Sequence, residues 1–247
     1  DLDAFVANWD QANKVWLNNG LGSFTDSGNS LGSSYSWPVS LGDLDGDGDL
    51  DAFVANYQQA NKVWLNNGSG TFTDSGNSLG SFASRSVSLG DVDGDGDLDA
   101  FVANNSQANR VWLNSGSGVF LDSGNSMGSA GSYGCAVGDL DGDGYLDAFV
   151  ANVGQNKVWL NDGSGSFTDS DSLGNSYSWN VSLGDLDGDG DLDAFVANWN
   201  EANKVWLNDG VAALATAATT WAASIVLAFH WAIWMAMAIW MPLWQTM

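Results

Sequence analysis

The sequence predicts an all-β protein made of repeated four-stranded sheets, followed by an apolar C-terminal helix. Three observations carry this. A phrase of about sixteen residues recurs four times at nearly constant spacing. Each copy contains short runs in which side chains alternate in character, separated by Gly-Ser and Asn-Gly turns. The composition changes abruptly at Val211, after which no Asp, Glu, Lys or Arg occurs.

The repeats come first because they set everything else. The string LGDLDGDGDLDAFVAN begins at Leu41 and returns from Leu89, Val137 and Leu183, with a Val for Leu or a Tyr for Asp in two copies. The leading Asp of each loop is Asp43, Asp91, Asp139 and Asp185, in steps of 48, 48 and 46 residues. A partial copy opens the chain at Asp1-Leu2-Asp3, in the middle of its loop. Each copy then runs into NKVWLN or NRVWLN, at Asn13, Asn61, Asn109, Asn156 and Asn203. A Gly-Ser turn and a phrase such as FTDSG follow, at Phe24, Phe72, Phe120 and Phe167.

Within one copy, Val39 to Leu41 predicts a first strand. Ala52 and Val54 against Phe53 and Ala55 predict a second, with its two faces set apart. Val63 and Leu65 around Trp64 predict a third, and Phe72 a short fourth. Four short antiparallel strands in 46 to 48 residues make a sheet of propeller-blade size, which needs a neighbour on each side to bury both faces. The expected architecture is a β-propeller of about five blades, at residues 1–42, 43–90, 91–138, 139–184 and 185–209. The first lacks its inner strand and the last its outer one.

The acidic loops carry the chemistry. Of 30 acidic residues 29 are Asp, and 21 of these lie in the loops once Asp1 and Asp3 are counted. Carboxylates occupy loop positions 1, 3, 5, 7 and 9: Asp43, Asp45, Asp47, Asp49 and Asp51, then Asp91, Asp93, Asp95, Asp97 and Asp99. The third loop has Asp139, Asp141, Asp143, Tyr145 and Asp147, and the fourth Asp185, Asp187, Asp189, Asp191 and Asp193. So many acids in nine residues repel unless a cation sits among them. An all-oxygen donor set suits Ca²⁺, which takes 6–8 oxygens; Mg²⁺ holds its waters, and zinc or copper want nitrogen or sulfur. Tyr145 at position 7 suggests a backbone carbonyl there, leaving side-chain ligation to positions 1, 3, 5 and 9, with the bidentate ligand expected at 9. An EF-hand would need Glu at position 12, where Val54, Val102, Val150 and Val196 stand. Four bound Ca²⁺ would take the net charge from −24 to −16. Asp1 and Asp3 could form a further partial site.

DxDGDGxxD at four places, the LDAFVAN segment after it and the NKVWLNNGSGSF-like phrase closely resemble FG-GAP and VCBS repeats. These are the blades of integrin α-like β-propellers and of many bacterial surface proteins. The resemblance covers residues 1 to about 209 and implies a Ca²⁺ between the first and second strands of each blade, held by the Asp residues at positions 1, 3, 5 and 9. It also implies an extracellular or cell-surface protein, which fits loops that fill at millimolar calcium.

Other residues divide by register. Lys14, Lys62, Arg110, Lys157 and Lys204 precede VWLN and are expected to form ion pairs with the acidic loops rather than a ligand-binding ring. Trp16, Trp64, Trp112, Trp159 and Trp206 are expected to pack between blades. Trp9, Tyr57, Trp199 and the pair Trp37 and Trp179 vary between copies and are the candidates for surface recognition. Cys135 is expected to be buried and inert. Asn67, Asn104 and Asn180 match the N-glycosylation pattern, weakly in so Asn- and Ser-rich a chain.

No catalysis is expected: the sole His, His230, lies in the apolar tail, and no carboxylate pair stands apart from the metal loops. Six scattered basic residues exclude nucleic-acid binding. The tail, residues 210–247, predicts a helix over 212–241 long enough to span a bilayer, yet its Trp residues are spread along it rather than gathered at two interfaces. Membrane anchoring, the dry core of an oligomer or filament, and a segment foreign to the native protein all remain open. The expected role is structural or adhesive with self-association, or else glycan binding as by a lectin.

Overall fold

The computed structural model describes residues 1–211 and 214–216. Among these the chain is all β, with no helix. The first sheet holds β1 (Ala4–Val6), β2 (Lys14–Asn18) and β3 (Phe24–Asp26). The second holds β4 (Ser36–Gly42), β5 (Asp51–Asn56), β6 (Lys62–Asn66) and β7 (Phe72–Asp74). The third repeats this with β8 (Ser84–Gly90), β9 (Asp99–Asn104), β10 (Arg110–Asn114) and β11 (Phe120–Asp122). All pairings are antiparallel between neighbours in sequence.

The fourth and fifth repeats fuse into one six-stranded sheet of β12 (Gly131–Gly138), β13 (Asp147–Asn161), β14 (Phe167–Gly184), β15 (Asp193–Asn198), β16 (Lys204–Leu207) and β17 (Ala215–Thr216). Two deletions explain it. The fourth repeat has five steps from Asn152 to Lys157 where the second has six from Asn56 to Lys62, and Gly154 turns the shortened link at φ 98°. The connection after Phe167 is also one residue shorter, so β14 runs on as outer strand of one blade and inner strand of the next.

Each sheet is phased differently from the sequence repeat. The inner strand comes from the end of one repeat, and the acidic loop lies between the sheet's first and second strands. The last blade differs from expectation at its edge. Ala215 and Thr216 pair with Leu207 and Trp206, and Leu214 is buried. An outer strand therefore stands where none was expected, within the span assigned to the apolar helix. The rest of that helix, and the membrane or oligomer role attached to it, lies outside the described residues.

The core sits between sheets. The second strand DAFVAN is buried along its whole length in the second and third sheets because each of its faces meets a different neighbour. Ala52 and Val54 pack with Val15 and Leu31 of the preceding segment, whereas Phe53 packs with Ala100, Val102, Trp112 and Phe120 of the following sheet. The same partition recurs, with Ala100 and Val102 facing back and Phe101 and Ala103 facing on. Phe53 meets Phe120 edge to face at 5.5 Å, and Phe101 meets Phe167 at 5.6 Å. Trp64, Trp112 and Trp206 are buried in these seams, as expected; Trp159 is partly buried, and Trp16, in the first sheet, is exposed. Cys135 is buried as well, and burial pushes its thiol up to about 11.

Polar ties repeat across the same seams. Asn114 Nδ2 donates to Leu44 O at 2.9 Å, Asn161 Nδ2 to Val92 O at 2.7 Å, and Asn208 Nδ2 to Leu140 O at 2.7 Å. The accepting carbonyls lie at position 2 of the preceding blade's acidic loop, so the first three complete loops are each fastened to the next blade. Inner strands approach closely enough that a Cβ on Gly134 would lie 2.7 Å from Asn180 Cα. Asn161→Ala would strip the buried Val92 carbonyl and the part-buried Leu146 carbonyl of this donor. A loss of about 1–3 kcal/mol is expected in chemical denaturation, against well under 1 kcal/mol for Asn67→Ala on an exposed turn.

Candidate functional site

The four complete acidic loops fold alike. Gly46 and Gly48 take φ of 78° and 91°, and the loop amides turn inward. Asp43 Oδ1 accepts from Gly46 N at 2.8 Å and its Oδ2 from Gly48 N at 3.0 Å. Asp51, at position 9, is fully buried; Oδ2 accepts from Leu44 N at 2.9 Å and Oδ1 from Asn66 N at 2.7 Å. Asp99, Asp147 and Asp193 repeat this staple. Each oxygen of the position-9 carboxylate thus already accepts one amide and keeps a further lone pair.

Positions 1, 3 and 9 converge. Asp43, Asp45 and Asp51 each place a carboxylate oxygen within 4.8 Å of the others, as do Asp91, Asp93 and Asp99, then Asp139, Asp141 and Asp147, and finally Asp185, Asp187 and Asp193. These triads could hold metal ions: the donors are all oxygen and each group brings three negative charges to one point.

The residues at positions 5 and 7 do not join the triads. Asp47 Oδ1 accepts from Asp49 N at 2.9 Å, closing a local turn, and Asp95, Asp143 and Asp189 do the same. Asp49 lies against Gly68, Asp97 against Gly116, Tyr145 against Gly163 and Asp191 against Gly210. Position 7 therefore packs on the turn between the third and fourth strands, which is why Tyr fits there. Asp1 lies against Gly20 and Asp3 accepts from Asn18 N, so they stand at positions 7 and 9 of a loop. They meet no third acid among the described residues.

Burial without charge compensation shows in the acidities. Burial pushes Asp99 and Asp147 up to about 6, against amide hydrogen bonds that pull the other way. Burial also raises Asp51, and burial together with the neighbouring position-5 carboxylate raises Asp45 and Asp93.

The basic register pairs locally, though not with the acidic loops. Lys14 binds Asp26 and Lys62 binds Asp74, each at 3.1 Å. Arg110 meets Asp122 at 3.7 Å and Lys157 meets Asp169 at 2.8 Å. The partner is the FTD or FLD aspartate on the adjacent strand, which stands opposite the Trp two residues on and so lies diagonal to the cation; the acidic loops lie at the other end of the second strand. Of the sequons, Asn104 is buried and bonded to Ala108 O, which bars modification in the folded chain.

At the opposite end of the sheets lies an aromatic arc. Ser36 pairs with Asn56 there, so Tyr35, Trp37 and Tyr57 sit away from the acidic loop. Trp9 stacks on Tyr35 at 4.7 Å and meets Trp37 edge to face. Tyr133 stands 5.0 Å from Trp179, which stacks on Trp199 at 5.2 Å. Trp9, Trp37 and Trp199 are 48%, 43% and 36% exposed. Their variation between repeats marked five of these residues in the sequence. Arg85 and Tyr133 escaped because the link to Trp37 and Trp179 is a shared position, six residues before each loop. On the same face, beside Tyr133, a cavity of about 410 Å³ is lined by Asn109, Ser132, Gln155, Lys157 and Trp159. The Trp159 indole N–H, like those of Trp64, Trp112 and Trp206, is buried without a partner among the described residues.

The FG-GAP-like repeat family matches residues 1–54, 43–102, 91–150 and 139–196. The chain belongs to this family. The FG-GAP-like blades also have structural neighbours. One is a lectin of Agrocybe aegerita whose structure concerns recognition of non-reducing terminal N-acetylglucosamine, at a TM-score of 0.56 and 21% identity over 86% of this chain. Another is the computationally designed Ika8 protein, at 0.53 and 14% over 87%. The chain spans 64% and 57% of these two proteins, and at such identities they share its fold alone. No curated protein matches the sequence.

Raised carboxyl values give a sign to the pH dependence of the metal-free chain. Asp99 and Asp147 bind protons more tightly folded than at the unfolded value of 3.8, so their contribution is present at low pH and lost as pH rises from 3.8 through about 6. With chelator, melting is expected at a higher temperature near about pH 5 than near about pH 7. With millimolar calcium the order should reverse, because protons then compete with the ion. Scanning calorimetry at both values checks this.

Proposed function

We propose that the chain is an extracellular, calcium-stapled β-propeller that recognises glycans and serves adhesion rather than catalysis. The observation that carries it is the exposed aromatic arc on the face away from the acidic loops. Sugar rings present apolar C–H faces that stack on indole and phenol rings. Three Trp at least one-third exposed are a large apolar outlay for a surface to leave in water without a partner. The neighbouring cavity, mostly apolar with a few polar side chains such as Asn109, Gln155 and Lys157, adds the shape of a small-ligand site.

Calcium is the ion proposed for the four triads. A hard all-oxygen site with Gly-rich flexible walls matches its size and coordination better than that of Mg²⁺. Sites of this kind fill at extracellular calcium, which is the basis for the proposed location. That the structurally similar Agrocybe aegerita lectin recognises a terminal sugar supports the choice of ligand class.

A glycan array probed with the calcium-loaded chain is expected to give saturable binding. Trp37→Ala or Trp179→Ala should weaken it about tenfold, the loss of one stacked ring. An array of neutral, amino and acidic glycans with no signal overturns the reading.

A further inference from the structure

The aromatic arc has a cation at its centre. Six residues before the acidic loops the four complete repeats carry Trp37, Arg85, Tyr133 and Trp179, so Arg85 occupies a position that is aromatic in every other copy. Its guanidinium lies 4.7 Å from the Trp37 ring, 4.4 Å from Tyr57 and 5.3 Å from Tyr133. Four of the other five basic residues pair with an Asp. Lys204 reaches Ser176 Oγ. Arg85 has no ion pair among the described residues, and its Nε is buried without an acceptor. In a chain of net charge −24, a guanidinium without a carboxylate is the exception that calls for a ligand.

Resting on the glycan reading, we propose that this face selects a sugar bearing a carboxylate, a uronic acid at a chain end or isolated among neutral residues. Arg85 supplies the fork that a carboxylate accepts bidentately, and the rings around it hold the pyranose by its C–H faces. Stacking on three aromatic rings already fixes the guanidinium plane, so little side-chain freedom is lost on binding. The charge of the whole chain narrows the choice further. A contiguous polyanion would meet repulsion from the surface around a single cation, whereas one carboxylate gains the local contact at small long-range cost.

The test uses the calcium-loaded chain and an array of oligosaccharides with terminal or isolated uronates. Each is paired with its carboxyl-reduced form, which keeps rings and linkages and removes only the charge. The uronate forms are expected to bind about 10- to 100-fold more tightly than the reduced forms, the worth of a charged hydrogen bond, and more tightly than contiguous polyuronates. Arg85→Gln should erase that preference, while Lys14→Gln, which changes net charge equally, should leave it. Equal binding of both forms by the unaltered chain overturns the inference and leaves the glycan reading standing. Binding of no sugar at all removes both. Because the paired ligands are compared on the unaltered chain, the outcome does not depend on the variant folding.

Discussion

Three carboxylates brought within 4.8 Å of one another, one of them fully buried, are the constraint on which this fold turns. The arrangement repeats four times and is built by the backbone itself. Gly at two loop positions lets the chain curl, and inward amides meet the first and last Asp. In the absence of a counter-charge the cost is visible in Asp99 and Asp147, both pushed well above the usual carboxylate range by burial. A cation removes that cost, so its binding free energy becomes folding free energy.

The loops reach beyond their own sheet. Position 9 accepts the backbone amide of the Asn that ends the third strand, and that Asn donates its side chain to the loop of the preceding sheet. Position 2 of the first three complete loops then enters the seam as a core residue: Leu44, Val92 and Leu140 are buried, whereas Leu186 of the last loop is exposed. Acidic triad, strand end and neighbouring core therefore form one connected series. Blades that cannot bury both faces alone are joined by the element that could hold an ion.

Much of this was legible in the sequence. The four strands per repeat, the two faces of DAFVAN, the Trp seams and the buried Cys135 all follow from alternation and register. Three features were not. Which loop positions converge was one, because spacing cannot say that positions 1, 3 and 9 meet while those at 5 and 7 lie against neighbouring backbone and Gly68-type turns. The partner of Lys14 and its equivalents was misplaced, since the cross-strand aspartate is nearer than the loop. The outer strand at Ala215–Thr216 was missed because apolar, Ala-rich sequence reads as helix, whereas an open sheet edge recruits any extended segment. The aromatic arc was half seen: repeats that differ hint at recognition, but only the fold places Arg85 among the rings.

The acidic loops and the aromatic arc thus occupy opposite ends of the same sheets, and the repeats keep one end constant while varying the other. The account's central claim concerns the end that is constant. Calorimetric titration of the chelated chain with calcium tests it most directly. Four ions per chain, one for each convergent triad, bound with release of protons near about pH 6, is the predicted result. A titration showing no heat, or an ion count unrelated to the number of complete loops, would contradict it.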